Sequence, residues 1–190
     1  MKVILASKSP RRKELLGELG RELGFDFEVV TCDVDEHLEG EYPFCGVEEL
    51  AIRKGAPVSE LYPDIAVISS DTLVELDGVA LGKPKDAEDA EKMLTSLSGR
   101  GHNVHTGVAI AYKGRLVSGV ASTAVYFREI SSDEIREYVA SGEPMDKAGA
   151  YGIQGYAGRF VSGYDGDFDT VVGLSLKLVR KLLSECGLFV

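Results

Sequence analysis

The chain has 190 residues, 44% of them hydrophobic. That is enough to bury a sizeable core and too few to require more than one domain, so residues 1–190 are read as a single unit. A net charge of −10 excludes binding to a nucleic acid polymer through a broad basic surface, since such binding runs on counterion release by clustered Lys and Arg. The opening MKVILASKSPRR is too short in apolar residues for a signal peptide. No stretch approaches the roughly 20 apolar residues that span a bilayer. A cytoplasmic protein with no membrane partner is expected. Cys32, Cys45 and Cys186 are widely spaced and form no CxxC pair, so they read as reduced thiols rather than zinc ligands or a disulfide framework.

Taken in chain order, Lys2 to Ala6 is a buried strand, and Ser9-Pro10 caps a helix predicted over about Pro10 to Leu19. Phe25 to Thr31 is a second strand. Val47 to about Glu60 has helical spacing, with Pro57 expected to end or kink it early. Asp64 to Leu76 is β-like and turns at Asp77-Gly78 into Val79 to Leu81. Asp86 to Leu97 is an amphipathic helix with acidic residues in its first turn, stopped by Gly99.

His102 to Tyr112 and Leu116 to Phe127 form a long hairpin around Lys113-Gly114, followed by helices over Ser132 to Ala140 and Thr170 to Cys186. Residues 141–169 hold seven of the 22 glycines with five interleaved Tyr and Phe, which predicts an ordered loop rather than a linker. The whole reads as a mixed α/β (α+β) domain of strong antiparallel character.

Four places carry chemistry. Three consecutive cations, Arg11, Arg12 and Lys13, follow Ser7-Lys8-Ser9-Pro10 at a strand-to-helix junction. Uncompensated cations at a helix N-terminus cost roughly 0.3–1 kcal/mol each, so a bound anion such as phosphate accounts for them; outward-pointing solvated charges are the alternative. Ser69-Ser70-Asp71-Thr72 interrupts an apolar strand. Asp71 could hold a metal, act as a general base, or both, or it could be a turn aspartate bonded to its own backbone. Lys83 in Gly82-Lys83-Pro84 could reach a phosphate, and Lys54 falls on the inward face of its helix, where a charge needs a partner.

Asp35-Glu36 and Glu48-Glu49 are further carboxylates. His37, His102 and His105 lack metal-ligand spacing and read as surface or strand residues. Gln154, in the glycine-dense segment 145–155, can donate and accept at once, which suits reading a base edge; bonding to its own loop is the competing role.

These segments together resemble the Maf family of nucleotide pyrophosphatases: LASKSPRRKELL at 5–16, DVDE at 33–36, EELAIRKGA at 48–56, SSDTLV at 69–74, LGKPKD at 81–86, LSGRGHNVHTGV at 97–108, MDKAGAYGIQG at 145–155 and VVGL at 171–174. The resemblance implies an elongated, largely antiparallel mixed sheet flanked by helices, like the inosine triphosphate pyrophosphatases, with a central cleft and commonly a homodimer. It implies a catalytic Asp71; substrate contacts from Ser7, Arg11, Arg12, Lys54, Thr72, Lys83 and Gln154; and Mg2+ or Mn2+ near Glu36 and Asp71. Arg12, Thr72 and Gln154 match the branch acting on dTTP and UTP. A nucleotide-binding regulator of septum formation is the alternative function. The chain departs from the common pattern at Asp169-Thr170 and Ser175, where the family more often shows Asn before VVGL and Pro after it.

Overall fold

Strand β1 (Lys2–Leu5) is buried at three of its four positions because it has neighbours on both sides. It runs parallel to β2 (Asp26–Val29), with Val3 opposite Phe27, and to β3 (Ala66–Leu76), with Ile4 opposite Val67. Parallel neighbours require crossovers, and helices α1 (Pro10–Leu23) and α2 (Phe44–Leu61) supply them. The structure is a computed structural model and describes residues 2–36 and 44–189. His37 lies outside the described residues.

Helix α1 runs four residues past the expected end at Leu19. Gly20 does not stop it: that residue is helical and packs so closely on Phe25 that a Cβ would lie 2.6 Å from the Phe25 carbonyl oxygen. The stop is Gly24, left-handed at φ 74°, whose N–H donates to the Gly20 carbonyl. Helix α2 likewise continues through Pro57. The proline removes one backbone hydrogen bond, but Val58 beyond it is fully buried against Ile4, Ala6 and Val67, and that packing holds the last turn.

Strand β3 turns at Asp77-Gly78, both at positive φ as a two-residue hairpin demands, into the antiparallel β4 (Val79–Leu81). Helix α3 (Ala87–Leu97) starts at Asp86, whose side chain accepts from the Asp89 N–H. Strands β5 (Gly101–Tyr112) and β6 (Arg115–Phe127) flank Lys113-Gly114, again both at positive φ. Helix α4 (Ser132–Ala140) opens with a capping box between Ser131 and Glu134.

Residues 141–169 are ordered but more regular than predicted. They contain 3₁₀ turns at Glu143–Asp146, Ala148–Ala150 and Tyr156–Phe160, then strand β7 (Val161–Asp165), which pairs antiparallel with β6, Tyr164 facing Val125. The five residues of β7 include a glycine and only brief apolar alternation, so periodicity missed them. The single helix expected over Thr170 to Cys186 is two, α5 (Phe168–Val172) and α6 (Leu176–Glu185). Gly173 at φ 121° breaks the backbone between them, and Ser175 caps α6 by accepting from the Leu178 N–H.

The seven strands found among the described residues form one mixed sheet in the order β2-β1-β3-β5-β6-β7, with β4 beside β3, and helices accompany it, as the resemblance implied. The chain divides into two compact units. The first comprises 1–71, 106–121 and 173–190, the second 72–105 and 122–172. In the first, Ile4, Ala6, Val58 and Val67 form an apolar cluster, and α1 touches α6. In the second, Leu94 and Leu97 of α3 join Ile135, Tyr138 and Val139 of α4 with Val125, Phe127 and Phe160. Among the described residues no helix is long and apolar enough to cross a membrane.

Candidate functional site

In the first unit the approach of helix α2 to β3 depends on glycine. A Cβ on Gly55 would lie 2.5 Å from the Ser69 hydroxyl oxygen, and that hydroxyl donates to the Ala51 carbonyl at 2.6 Å. Gly107 of β5 makes room in the same way near the start of the helix, where a Cβ would lie 2.2 Å from the Val47 carbonyl oxygen. Lys54, next to Gly55, is thereby brought against β3. Its Nζ donates to Asp71 Oδ1 at 2.6 Å and pairs with Glu36 at 3.2 Å. The side chains of Lys54 and Asp71 are only 17% and 15% exposed, so each charge has lost most of its water and depends on the other. Asp71 is an interior residue of a regular strand bonded to a lysine, which removes the reading of it as a turn aspartate.

The basic run divides. Lys8 is exposed, whereas Arg12 turns inward: Nε donates to the Gly173 carbonyl at 2.9 Å, and Nη1 donates to the Ser70 carbonyl at 2.8 Å and to the Ser7 hydroxyl at 3.3 Å. Ser7, itself buried, also accepts from the Ser9 N–H at 3.3 Å. The Ser70 hydroxyl donates to the same Gly173 carbonyl at 3.0 Å. Arg12 thus ties the start of α1 to β3 and to the break before α6, a structural duty that the sequence did not disclose. Burial lowers its pKa from the ordinary 12.5, Asp71 raises it, Arg11 lowers it and Glu36 raises it. Arg11 is half-buried and its guanidinium makes no hydrogen bond or ion pair with a described residue.

Of the remaining carboxylates, Glu49 pairs with Arg53, and Glu48 accepts from the Ser118 hydroxyl at 2.7 Å. Neither joins Asp71 and Glu36. A cavity of about 260 Å³ in this unit is lined by Gly55, Ala56, Val67, Ala109 and Leu116 among others, and none of the predicted site residues lines it.

Thr72, Lys83 and Gln154 belong to the second unit. Thr72 follows Asp71 on β3, so its side chain leaves the opposite face of the strand. Lys83 is exposed between β4 and α3, where the preceding Gly82 carbonyl accepts from the Gly149 N–H at 3.0 Å. Gln154 is exposed on a turn closed by the Gly155 N–H donating to the Gly152 carbonyl at 3.1 Å. Its amide makes no hydrogen bond to a described residue, which sets aside the alternative that it bonds its own loop.

His102 and His105 are strand residues, as expected, but buried ones. His102 packs edge-on against Phe127 and Tyr151, its Nε2 lies 2.8 Å from the Tyr151 hydroxyl, and burial pushes its pKa down to about 4. His105 lies between Ser122 at 2.7 Å and Glu75 at 3.1 Å.

The first unit therefore offers a carboxylate pair converging on one ammonium, with Arg12 in electrostatic contact with both. Among the described residues no three of His, Cys, Asp or Glu gather around a common point. Asp71 and Glu36, two hard oxygen donors that already reach one cation, are the residues here that could hold a small divalent ion.

A family model described as Maf-like protein matches residues 2–186. The dTTP/UTP pyrophosphatase of Shewanella denitrificans is 52% identical over 186 residues, covering 95% of this chain and 94% of the relative. Those of Symbiobacterium thermophilum and Pyrococcus abyssi are 46% and 44% identical, covering 97% and 95% of this chain and 94% of each relative. Among solved structures, a nucleoside-triphosphatase / dITP/XTP pyrophosphatase from Mycobacterium abscessus aligns with TM-score 0.52 at 15% identity, covering 98% of this chain and 94% of that one. At that identity the likeness is one of fold.

Proposed function

The chain belongs to the family of Maf-like proteins, and from that membership we propose that it hydrolyses nucleoside triphosphates, dTTP and UTP foremost, to the monophosphate and pyrophosphate. The observation that carries the reading is the Lys54 ammonium held by Asp71 and Glu36 next to Arg12, in a chain 52% identical to a dTTP/UTP pyrophosphatase.

In this mechanism a water oxygen bonds to the α-phosphorus while the bond from that phosphorus to the α,β-bridging oxygen breaks, and pyrophosphate carries the electron pair away. Asp71 orients the water and takes its proton. Lys54 fixes the direction of the Asp71 carboxylate and, being shared with Glu36, can exchange one carboxylate contact for a phosphate oxygen. Arg11 binds the polyphosphate, and Arg12 adds positive potential while holding the walls of the site in place. Mg2+ or Mn2+ held by Glu36, Asp71 and the substrate's phosphates would neutralise charge on the transferring group. The family resemblance also assigns substrate contacts to Ser7, Thr72, Lys83 and Gln154. The same reading places a homodimer in the cytoplasm and gives it the task of removing unwanted or modified nucleotides.

A panel of dTTP, UTP, CTP, ATP and GTP, assayed separately for pyrophosphate and for phosphate, tests this. Pyrophosphate from dTTP and UTP, abolished by EDTA and restored by Mg2+ or Mn2+, is the expected result. Orthophosphate release would move attack to the γ-phosphorus. Tight nucleotide binding without any product would favour the septum-regulator alternative, and full activity after metal stripping would remove the divalent ion.

A further inference from the structure

Gln154 stands on a four-residue turn whose other members are all held. Ile153 packs into the apolar core of the second unit, and Gly152 and Gly155 close the turn through their backbone hydrogen bond. Both glycines lie against side chains. A Cβ on Gly155 would fall 2.0 Å from Glu143 Oε1, and one on Gly152 would fall 2.7 Å from Lys147 Cε. A partly buried network fills the space beneath. The Tyr138 hydroxyl, on helix α4, donates to Glu143 Oε1 at 3.3 Å and lies within electrostatic reach of the Gly152 backbone. Glu143 Oε2 accepts from the Tyr156 N–H at 3.3 Å. The Tyr138 and Tyr156 rings stack at 5.5 Å and 14°, and Lys147 Nζ bonds both the Glu143 carbonyl and the Asp146 carboxylate.

Two residues from outside the turn, Tyr138 and Glu143, therefore grip the chain on both flanks of Gln154, at 152 and at 156. The Gln154 amide itself bonds no described residue. Such a layout presents a side chain outward from a fixed base. It matters for base selection because a glutamine amide can turn over to suit either uracil or cytosine, whereas a clamped peptide cannot reverse its N–H and C=O. Selectivity has to come from the part that cannot flip.

We propose that Tyr138 and Glu143 are positioning residues for base recognition: they hold the 152–155 turn so that Gln154 and the turn's own peptide groups meet a base carrying a carbonyl at position 4 and a donor at N3. The proposal rests on the pyrimidine-triphosphate reading above. Neither residue touches substrate.

The test compares kcat/KM for UTP and CTP in the wild-type protein, Tyr138→Phe and Glu143→Gln, with backbone hydrogen exchange at 152 and 156 followed in each. Tyr138→Phe removes one oxygen and leaves no large void, and Glu143→Gln keeps the volume but can no longer accept from both partners, so one informs if the other fails to fold. The UTP-to-CTP preference should fall about tenfold, the worth of one hydrogen bond to a charged group. The loss should appear in the KM for UTP, with its kcat changed less than about twofold, and exchange at 152 and 156 should accelerate. An undiminished preference in a folded variant, with or without faster exchange, overturns the clamp while leaving the pyrophosphatase reading intact. A wild-type enzyme that releases pyrophosphate from UTP and CTP equally overturns base reading by Gln154 and the clamp together. A wild-type protein that hydrolyses neither nucleotide fails at the proposed function itself.

Discussion

In the first unit Lys54, Asp71 and Glu36 come from a helix, a strand and a loop and meet through ion pairs of 2.6 and 3.2 Å. In the second unit the turn bearing Gln154 is held by two stacked tyrosines, a single carboxylate and two glycines. Charged partners in the first can be exchanged, since an ammonium that bonds a carboxylate can bond a phosphate without any element moving. The second has no such freedom, because the Tyr138 hydroxyl and the Gly152 and Gly155 peptide groups that close the turn are bonded within the protein and its glycines leave no slack. Damage to the first should therefore appear in turnover, and damage to the second in selectivity and stability.

Asp71→Asn breaks the first region most directly. Turnover should fall between about a hundredfold and ten-thousandfold, the range for loss of a positioned acid or base, while nucleotide binding persists. Pyrophosphate release under saturating UTP measures it, and wild-type turnover in the variant would take Asp71 out of the chemistry.

The next effect belongs to the second unit and to pH. His102 has a folded pKa near 4 because burial among Phe127 and Tyr151 disfavours its charge, against 6.5 in an exposed chain. As pH falls, the unfolded chain takes up this proton first, so the native state loses stability from about pH 6.5 down to about pH 4. The loss approaches about 3 kcal/mol at the lower end. Urea denaturation at pH 7 and pH 4.5 reads it against His102→Gln, which retains a partner for the Tyr151 hydroxyl. Equal pH dependence in the two proteins would mean that His102 does not carry this limb.

Much of the first region was legible in the sequence because its signals are violations of local preference. A lysine on the inward face of a helix, an aspartate inside an apolar strand and cations at a helix start each demand a partner, and the fold supplies Asp71 for Lys54 and carbonyls for Arg12. What stayed hidden is which partner each finds, since Gly173 and Arg12 are 161 residues apart. Gly55 did leave a trace: glycine inside a helix costs about 0.5–1 kcal/mol relative to alanine, so its presence there signals a close approach. The second region was legible only as an ordered, glycine-dense loop. Its 3₁₀ turns and β7 have no hydrophobic period, and Tyr138 and Glu143 read as ordinary helix and loop residues until tertiary packing sets them under Gln154. The break at Gly173 was masked by the helical spacing that continues across it.

Gly55→Ala tests whether the ion pairs of the first region depend on close packing as much as the second region does. The added methyl would sit 2.5 Å from the Ser69 hydroxyl oxygen, so α2 has to shift, at about 1–3 kcal/mol of stability by the usual cost of overpacking. Turnover should fall with it, because Lys54 moves with the helix. Adding Ser69→Ala removes the clashing oxygen and should restore most of both, as read by urea midpoint and by pyrophosphate release. No recovery in the double variant would place the strain elsewhere.

The smallest expected effect separates stability from chemistry within the first unit. Ser175 lies just beyond the break at Gly173. It starts α6 by accepting from the Leu178 N–H at 3.3 Å, two residues after the Gly173 carbonyl that receives both Arg12 and Ser70. A serine cap replaced by alanine leaves a helix N–H without its acceptor and typically costs about 1 kcal/mol. The Gly173 carbonyl would keep its place, because Arg12 Nε and the Ser70 hydroxyl still hold it from the other side at 2.9 and 3.0 Å. Ser175→Ala should therefore lower the urea midpoint while leaving the kcat and KM for UTP within about twofold of wild type. A large loss of turnover at unchanged stability would instead mean that the cap at Ser175, acting through Gly173, sets the position of Arg12.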